Sequence, residues 1–306
     1  MEEGISSSVD FLVSRRSNSH WVDWELPTGR SDAWTTAYVG LKLSHVPEGF
    51  SAEAEGPMRA AGDWLMSNIY EDGGWGYNRG VGSDADSTSW AVLFLGSLGM
   101  EVPARSIELL LRHQRDDGGF CTYLGKEGAG SWGTSHADVT PVALSALSGR
   151  KEGSPMDRGV RYVLLSRDLE GCWNSFWWAT PLYATNANIS FLESRGVPWE
   201  SMRTLDFLLD TKPWNPFETA LLASSLLRLS FPTRKIEVTT LVDELLSAQL
   251  RDGSWESQPL LRVTARDCYD PWENDGAGPL FADEGRIFTT ATVLDALCSA
   301  RNILSA

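Results

Sequence analysis

Six stretches of this chain are apolar on nearly every face. Between them lie stretches whose apolar residues recur every three or four positions with charges in between. The first pattern predicts a helix buried all round, the second a helix with one wet face. A fixed frame marks the buried kind, a Thr followed seven residues later by Leu. It occurs at Thr36–Leu43, Thr88–Leu95, Thr140–Leu147, Thr185–Leu192, Thr219–Leu226 and Thr290–Leu297. Amphipathic segments run over 57–69, 104–113, 159–166, 201–209 and 237–249. Strand-like alternation is scarce.

The first three frames align without gaps as Ser31-Asp-Ala-Trp-Thr-Thr36, Ser83-Asp-Ala-Asp-Ser-Thr88 and Ser135-His-Ala-Asp-Val-Thr140. They begin at 31, 83 and 135, a constant period of 52 residues. Repetition at a fixed period is the signature of one supersecondary unit stacked on copies of itself. About six buried helices alternating with about six amphipathic ones predict an all-α fold, an (α/α)6 barrel of six inner and six outer helices. Residues 1–306 are expected to form one domain, with 1–30 as an N-terminal extension packing on or capping the barrel. An irregular helical bundle is the alternative.

The connectors agree. Glu71-Asp-Gly-Gly-Trp75, Gln114-Arg-Asp-Asp-Gly-Gly-Phe120, Glu170-Gly-Cys-Trp173 and Gln249-Leu-Arg-Asp-Gly-Ser-Trp255 each follow an amphipathic segment. Asp-Gly makes a tight turn in which Gly supplies positive φ after a helix end. The next aromatic packs over the turn, and the Gln amide bonds exposed helix termini.

Composition narrows the function. With 306 residues, 42% of them hydrophobic, the chain has enough apolar material for a sizeable core. A net charge of −15 disfavours a phosphate backbone as partner, so no nucleic acid is expected. The four cysteines show no CxxC pair or zinc-finger spacing, and reduced thiols in a cytoplasmic protein are the simplest reading. No apolar run reaches the roughly 18 residues of a membrane span. The first 16 residues lack the apolar stretch of a signal peptide.

The Q-x-x-D-G-x-W turns resemble the QW repeats of squalene–hopene and oxidosqualene cyclases, and related repeats in prenyltransferase β subunits. Asp84-Ala-Asp-Ser-Thr-Ser89 is similar to the DxDD segment of class II terpenoid cyclases, and Ala137-Asp-Val-Thr140 to their D-V-T element. The resemblance runs from about Trp34 to Leu297. It implies Asp86 as proton donor and Asp84 as the neighbour that tunes it. This chain departs from the pattern in three ways. Ser87 stands where the family has its fourth acid, Val142 stands where a supporting His follows D-V-T, and there is length for one barrel where the family usually has two. The D-x-C and distant His of the zinc prenyltransferases are missing, since Asp267 and Cys268 are adjacent and no His follows His136. The DDxxD and NSE-type magnesium motifs are missing too.

Positions four and two before each frame Thr are Asp32 and Trp34, Asp84 and Asp86, His136 and Asp138, Pro181 and Tyr183, Asn215 and Phe217, Arg286 and Phe288. Parallel inner helices put all twelve at one end of the central cavity. The first three repeats supply four carboxylates and an imidazole. The last three supply Tyr183, Phe217 and Phe288, with Trp177 and Trp178 just upstream. Crowded carboxylates in a poorly solvated mouth cannot all ionise, so at least one pKa rises. A neutral carboxylic acid beside an apolar substrate is a general acid. Aromatic faces stabilise a cation, by about 0.5–2 kcal/mol each, without attacking it.

Asp86, Asp84, Asp138 and His136 are therefore the catalytic candidates, with His136 supplying the hydrogen bond that Val142 cannot. Trp34, Trp177, Trp178, Tyr183, Phe217, Phe288, Asp32 and Arg286 are the substrate-binding candidates. Plainer roles are available: Asp32 and Asp84 suit helix N-caps, whereas Asp86 sits deeper than a cap should; His136 suits a structural histidine, and the rings plain lining.

The leading reading is a terpenoid cyclase-like enzyme that protonates and then cyclises or isomerises a prenyl-derived substrate. Protonation needs no cofactor and no metal site is expected. A diphosphate substrate would call on Arg262, Arg266 and Arg286, with Mg2+ where required. An uncharged polyprenyl substrate fits equally well. The alternatives are a carbohydrate-active α/α-barrel glycosidase or lyase, and a non-catalytic toroid that binds lipid or a partner. The missing second barrel leaves a face that a homodimer would cover.

Overall fold

The computed structural model describes residues 1–125, 129–230 and 232–304. In chain order its helices are α1 (Glu2–Ser14), α2 (Ala33–Ser44), α3 (Glu48–Ser67), α4 (Ala85–Ser97), α5 (Ala104–His113), α6 (Thr140–Leu147), α7 (Ser154–Leu165), α8 (Pro181–Ser194), α9 (Met202–Asp210), α10 (Pro216–Ser230), α11 (Lys235–Ser247) and α12 (Ile287–Leu304). The apolar frames are the six even-numbered helices. Each packs on the next around a ring, and α12 closes onto α2. Their all-round burial explains their apolar sequences: every buried residue type that packs here removes area from water at about 25 cal/mol per Å2.

Helices α3, α5, α7, α9 and α11 pack outside this ring. The sixth outer helix is α1, which lies against α12 and α3. Residues 1–30 thus divide. Their first half completes the outer ring, and their second half forms the hairpin β1 (Asp23–Leu26) and β2 (Gly29–Ser31). Helix α3 begins nine residues before the predicted start at 57. Ala54, Met58, Ala61 and Leu65 keep one buried stripe running through Pro57, which sacrifices a backbone hydrogen bond without ending the helix.

The connectors act as clasps between neighbouring outer helices. Gln114 Nε2 donates to Gly118 O at 3.0 Å and to Pro155 O, at the start of α7, at 2.7 Å. Gln249 Nε2 repeats this on Gly253 O at 3.0 Å and on Gly4 O of α1 at 2.9 Å. Gly118 has φ +94°, and a Cβ there would meet Arg158 O at 2.2 Å, so no other residue fits. The aromatic residues of the clasps tie them to the helices, and Trp75 and Trp173 reach both rings. Trp75, Trp173 and Trp255 donate their indole N–H to Leu65 O, Val163 O and Leu245 O, at the ends of the preceding outer helices. The backbone N–H of Trp75, Phe120 and Trp173 donates to the frame hydroxyls of Thr88, Thr140 and Thr185. Trp21 does the same with Leu12 O and Thr36, which marks residues 1–36 as another copy of the unit.

First and last repeats are joined at both ends of the barrel. Lys42 of α2 meets Asp295 of α12 at 2.6 Å. At the other end Asp23 accepts from the backbone N–H of Ile287 and Gly285, capping α12. Strands β3 (Leu261–Arg262) and β4 (Leu280–Phe281) lie beside the 176–178 segment, where Arg262 N–H donates to Trp177 O at 2.6 Å. The four cysteines are free. Among the described residues no helix is long and apolar enough to cross a membrane.

Candidate active site

A cavity opens at the N-terminal ends of the inner helices and holds about 920 Å3 of atom-free space, its mouth included. Asp84, Asp86 and Asp138 line it together with Trp34, Trp177, Trp178 and Tyr183. The repeat explains this grouping, since Trp34, Asp86 and Asp138 occupy the same position in three successive units. Phe217 and Phe288 stand behind the first layer. Trp178 stacks on Tyr183 at 4.3 Å and on Phe217 at 5.1 Å, while Phe288 packs on Trp34 at 4.8 Å and on Tyr38 at 3.7 Å.

The three carboxyls differ. Asp84 caps α4, its Oδ1 accepting from Ser87 N–H and its Oδ2 from Ser87 Oγ–H, both at 2.7 Å. Burial nevertheless raises its pKa to about 7, against these hydrogen bonds. Asp138 Oδ2 accepts from Trp177 N–H at 2.8 Å, and burial raises this carboxyl to about 6. Asp86 Oδ2 accepts from the indole N–H of Trp34 at 2.8 Å, and its Oδ1 is buried without a partner. Burial, then the charges of Asp84 and Asp138, push Asp86 well above the usual carboxylate range, while the indoles of Trp34 and Trp90 oppose the shift. A carboxyl so placed is biased toward its protonated form, and the residue that carries it lines the cavity.

Three residues that the frame put at the mouth turn elsewhere. His136 is buried behind the wall. Its Nε2–H donates to Ser131 O at 2.9 Å, so its Nδ1 accepts from Thr122 Oγ–H at 2.8 Å; that hydroxyl in turn accepts from Trp177 Nε1–H at 2.7 Å. Both ring nitrogens are occupied, burial lowers the pKa to about 4, and the ring stacks on Phe176 at 3.9 Å. The expected support of the acid by His136 is therefore corrected: the imidazole holds Trp177. Asp32 caps α2 through Ala33 N–H, outside the cavity lining. Arg286 sits at φ +59° with its guanidinium on Asp252 at 2.8 Å and near the Phe11 ring, so it too lies away from the cavity. Helix position fixes the height of these residues, but backbone just before the helix sets which way they face.

The frame did not reveal the cover. Leu26–Thr28 at the hairpin tip, Tyr77, Tyr123, Trp132 and Leu261–Val263 complete the lining from connecting segments. One signal was available, because Tyr77, Tyr123 and Trp177 each follow a clasp aromatic by two to four residues. Of the three arginines considered for a charged head group, Arg262 alone lines the cavity, and Arg266 lies over the Trp132 ring.

This architecture matches the type II terpene cyclase MstE from Scytonema with a TM-score of 0.89 at 24% identity, over 99% of this chain and 98% of that one. The fold is that of a type II terpene cyclase. MstE has been solved with geranylgeranyl dihydroxybenzoate as substrate and with merosterolic acid A as product. An unsaturated glucuronyl hydrolase specific for heparin shares the barrel at a TM-score of 0.61 and 10% identity, over 99% and 96% of the two chains. In sequence, 120 residues are 41% identical to drimenyl diphosphate synthase of Streptantibioticus cattleyicolor. That match covers 38% of this chain and only 23% of the relative. No family profile matches the chain.

Proposed function

We propose that this protein is a class II type terpenoid cyclase, which protonates an alkene of a prenyl-derived substrate and guides the cation through cyclisation or isomerisation. The observation that carries the reading is the Asp86 carboxyl in the lining of an aromatic-walled chamber, its Oδ1 without a hydrogen-bond partner and its pKa raised by burial and by the charges of Asp84 and Asp138. The Asp86 O–H bond breaks as its proton joins one alkene carbon, leaving the positive charge on the other and a carboxylate on Asp86. Trp34, Trp178 and Tyr183 present ring faces that lower the energy of that cation. A neighbouring alkene closes a ring by attack on it. The final cation loses a proton or captures water, and solvent returns a proton to Asp86. None of these steps draws on a cofactor.

The burial of Trp34 and Trp178 in the chamber wall favours this reading over a glycosidase. Sugar stacking needs rings exposed along an open groove, whereas Trp34 is 5% and Trp178 3% exposed. Incubation with a panel of polyprenyl compounds in D2O, read by mass spectrometry, tests the proposal. One deuterium per product at a single carbon is the expected result. Turnover without deuterium, or cleavage of sugar oligomers with no prenyl turnover, would overturn it.

A further inference from the structure

The chamber has three carboxyls and, among its lining residues, one cation. That cation is Arg262, carried on β3 and held in place by its backbone N–H on Trp177 O. Its Nη1 is buried and lacks any hydrogen-bond partner. Burial lowers its pKa from the ordinary arginine value, and Asp138 acts in the opposite sense as the strongest nearby charge. An arginine remains protonated in such a place, so a buried N–H without an acceptor is an uncompensated donor. The cyclase reading gives Asp86, Asp84 and Asp138 work to do, but leaves this guanidinium without any.

Resting on that reading, we infer that Arg262 anchors the polar end of the substrate, and that this end is a single carboxylate on a polyprenyl chain. One arginine balances one negative charge, and its planar fork matches a carboxylate with two parallel hydrogen bonds. A diphosphate brings two or more negative charges into a chamber where the Asp138 carboxylate already acts on Arg262 and no second cation lines the wall. The like-charge repulsion and the unpaired phosphate oxygens both work against it. A prenylated aromatic acid and a linear polyprenoic acid share the required chemistry.

The test uses the full chain carrying Asp86→Asn, which blocks turnover, and follows tryptophan fluorescence on titration. The ligands are a geranylgeranylated hydroxybenzoate, geranylgeranoic acid, geranylgeraniol, and geranylgeranyl diphosphate with and without Mg2+. The expected result is tighter binding of one or both acids than of the diphosphate. Adding Arg262→Met should weaken acid binding about 10- to 100-fold and leave the alcohol unchanged. Arg262→Lys should recover part of the loss. A merely structural arginine would weaken alcohol and acid alike, which overturns the inference. So does diphosphate binding as tight as the acids, or acid binding that ignores Arg262. In either case single-site deuterium incorporation by the unsubstituted protein would leave the cyclase reading standing. If no prenyl compound binds or turns over, both fail.

Discussion

The indole N–H of Trp34 donates to Oδ2 of Asp86 at 2.8 Å, and the two residues are 52 positions apart, one full repeat. They are the same position in adjacent units, brought side by side by the ring. The bond fixes the carboxyl's rotation, with Oδ1 buried and without a hydrogen-bond partner. It also favours the ionised form, which makes Asp86 a stronger acid than burial alone would allow.

Trp34→Phe keeps a ring and removes that donor. Its expected effect is a fall in kcat of about 10-fold, in line with the loss of a hydrogen bond to a charged group, with KM little changed. Steady-state kinetics check this. A KM effect larger than the kcat effect would contradict the role given to the indole.

The pH profile should show one descending limb. Catalysis needs Asp86 protonated, and its pKa lies well above the ordinary value, raised further as Asp84 and Asp138 ionise at about 7 and about 6. Activity is therefore expected to hold through neutral pH and fall on the alkaline side. His136, lowered to about 4 and with both nitrogens bonded, contributes no limb between pH 5 and 8. A histidine-like limb in kcat against pH would contradict this assignment.

Stability should also fall as pH rises, but over a lower range than activity. In the folded chain burial raises the Asp138 carboxyl to about 6, above the ordinary aspartate value of about 3.9. The fold therefore binds extra protons between these values, and stability declines as pH rises through that window. Asp138→Asn, which keeps an oxygen for Trp177 N–H, is expected to gain about 1–3 kcal/mol over the unsubstituted protein at pH 8 and nothing at pH 3. Denaturant unfolding at the two pH values measures the difference.

Replacing His136 by Leu cuts the chain of bonds from Trp177 through Thr122 to Ser131 O. Buried groups left without partners should cost about 2–4 kcal/mol of stability. Deuterium should still enter at one carbon, because the imidazole takes no proton from the substrate. Loss of labelling in a folded Leu variant would return His136 to the chemistry.

Trp178 is the wall between the chamber and Phe217. Trp178→Ala should open that wall, at a cost of about 3–5 kcal/mol, and shift preference toward substrates longer by about one isoprene unit. Competition between two chain lengths, scored by product ratio, reads the shift.

The sequence by itself determined the ring. Apolar periodicity, the Thr-to-Leu frame and the Asp-Gly-aromatic turns are local signals, each set within one turn or one helix face. They were sufficient to number the inner helices and to align Trp34, Asp86 and Asp138 at one height. Tertiary structure decided the rest, because side-chain direction at a helix entrance depends on contacts with distant segments. It turned His136 toward Ser131, Arg286 toward Asp252 and Asp32 toward its own helix. It brought α1 from one end of the chain to complete the outer ring, and laid Arg262 over the chamber on a strand too short to leave a periodic trace. Burial, the quantity that raises the pKa of Asp86, arises only when all of these segments meet.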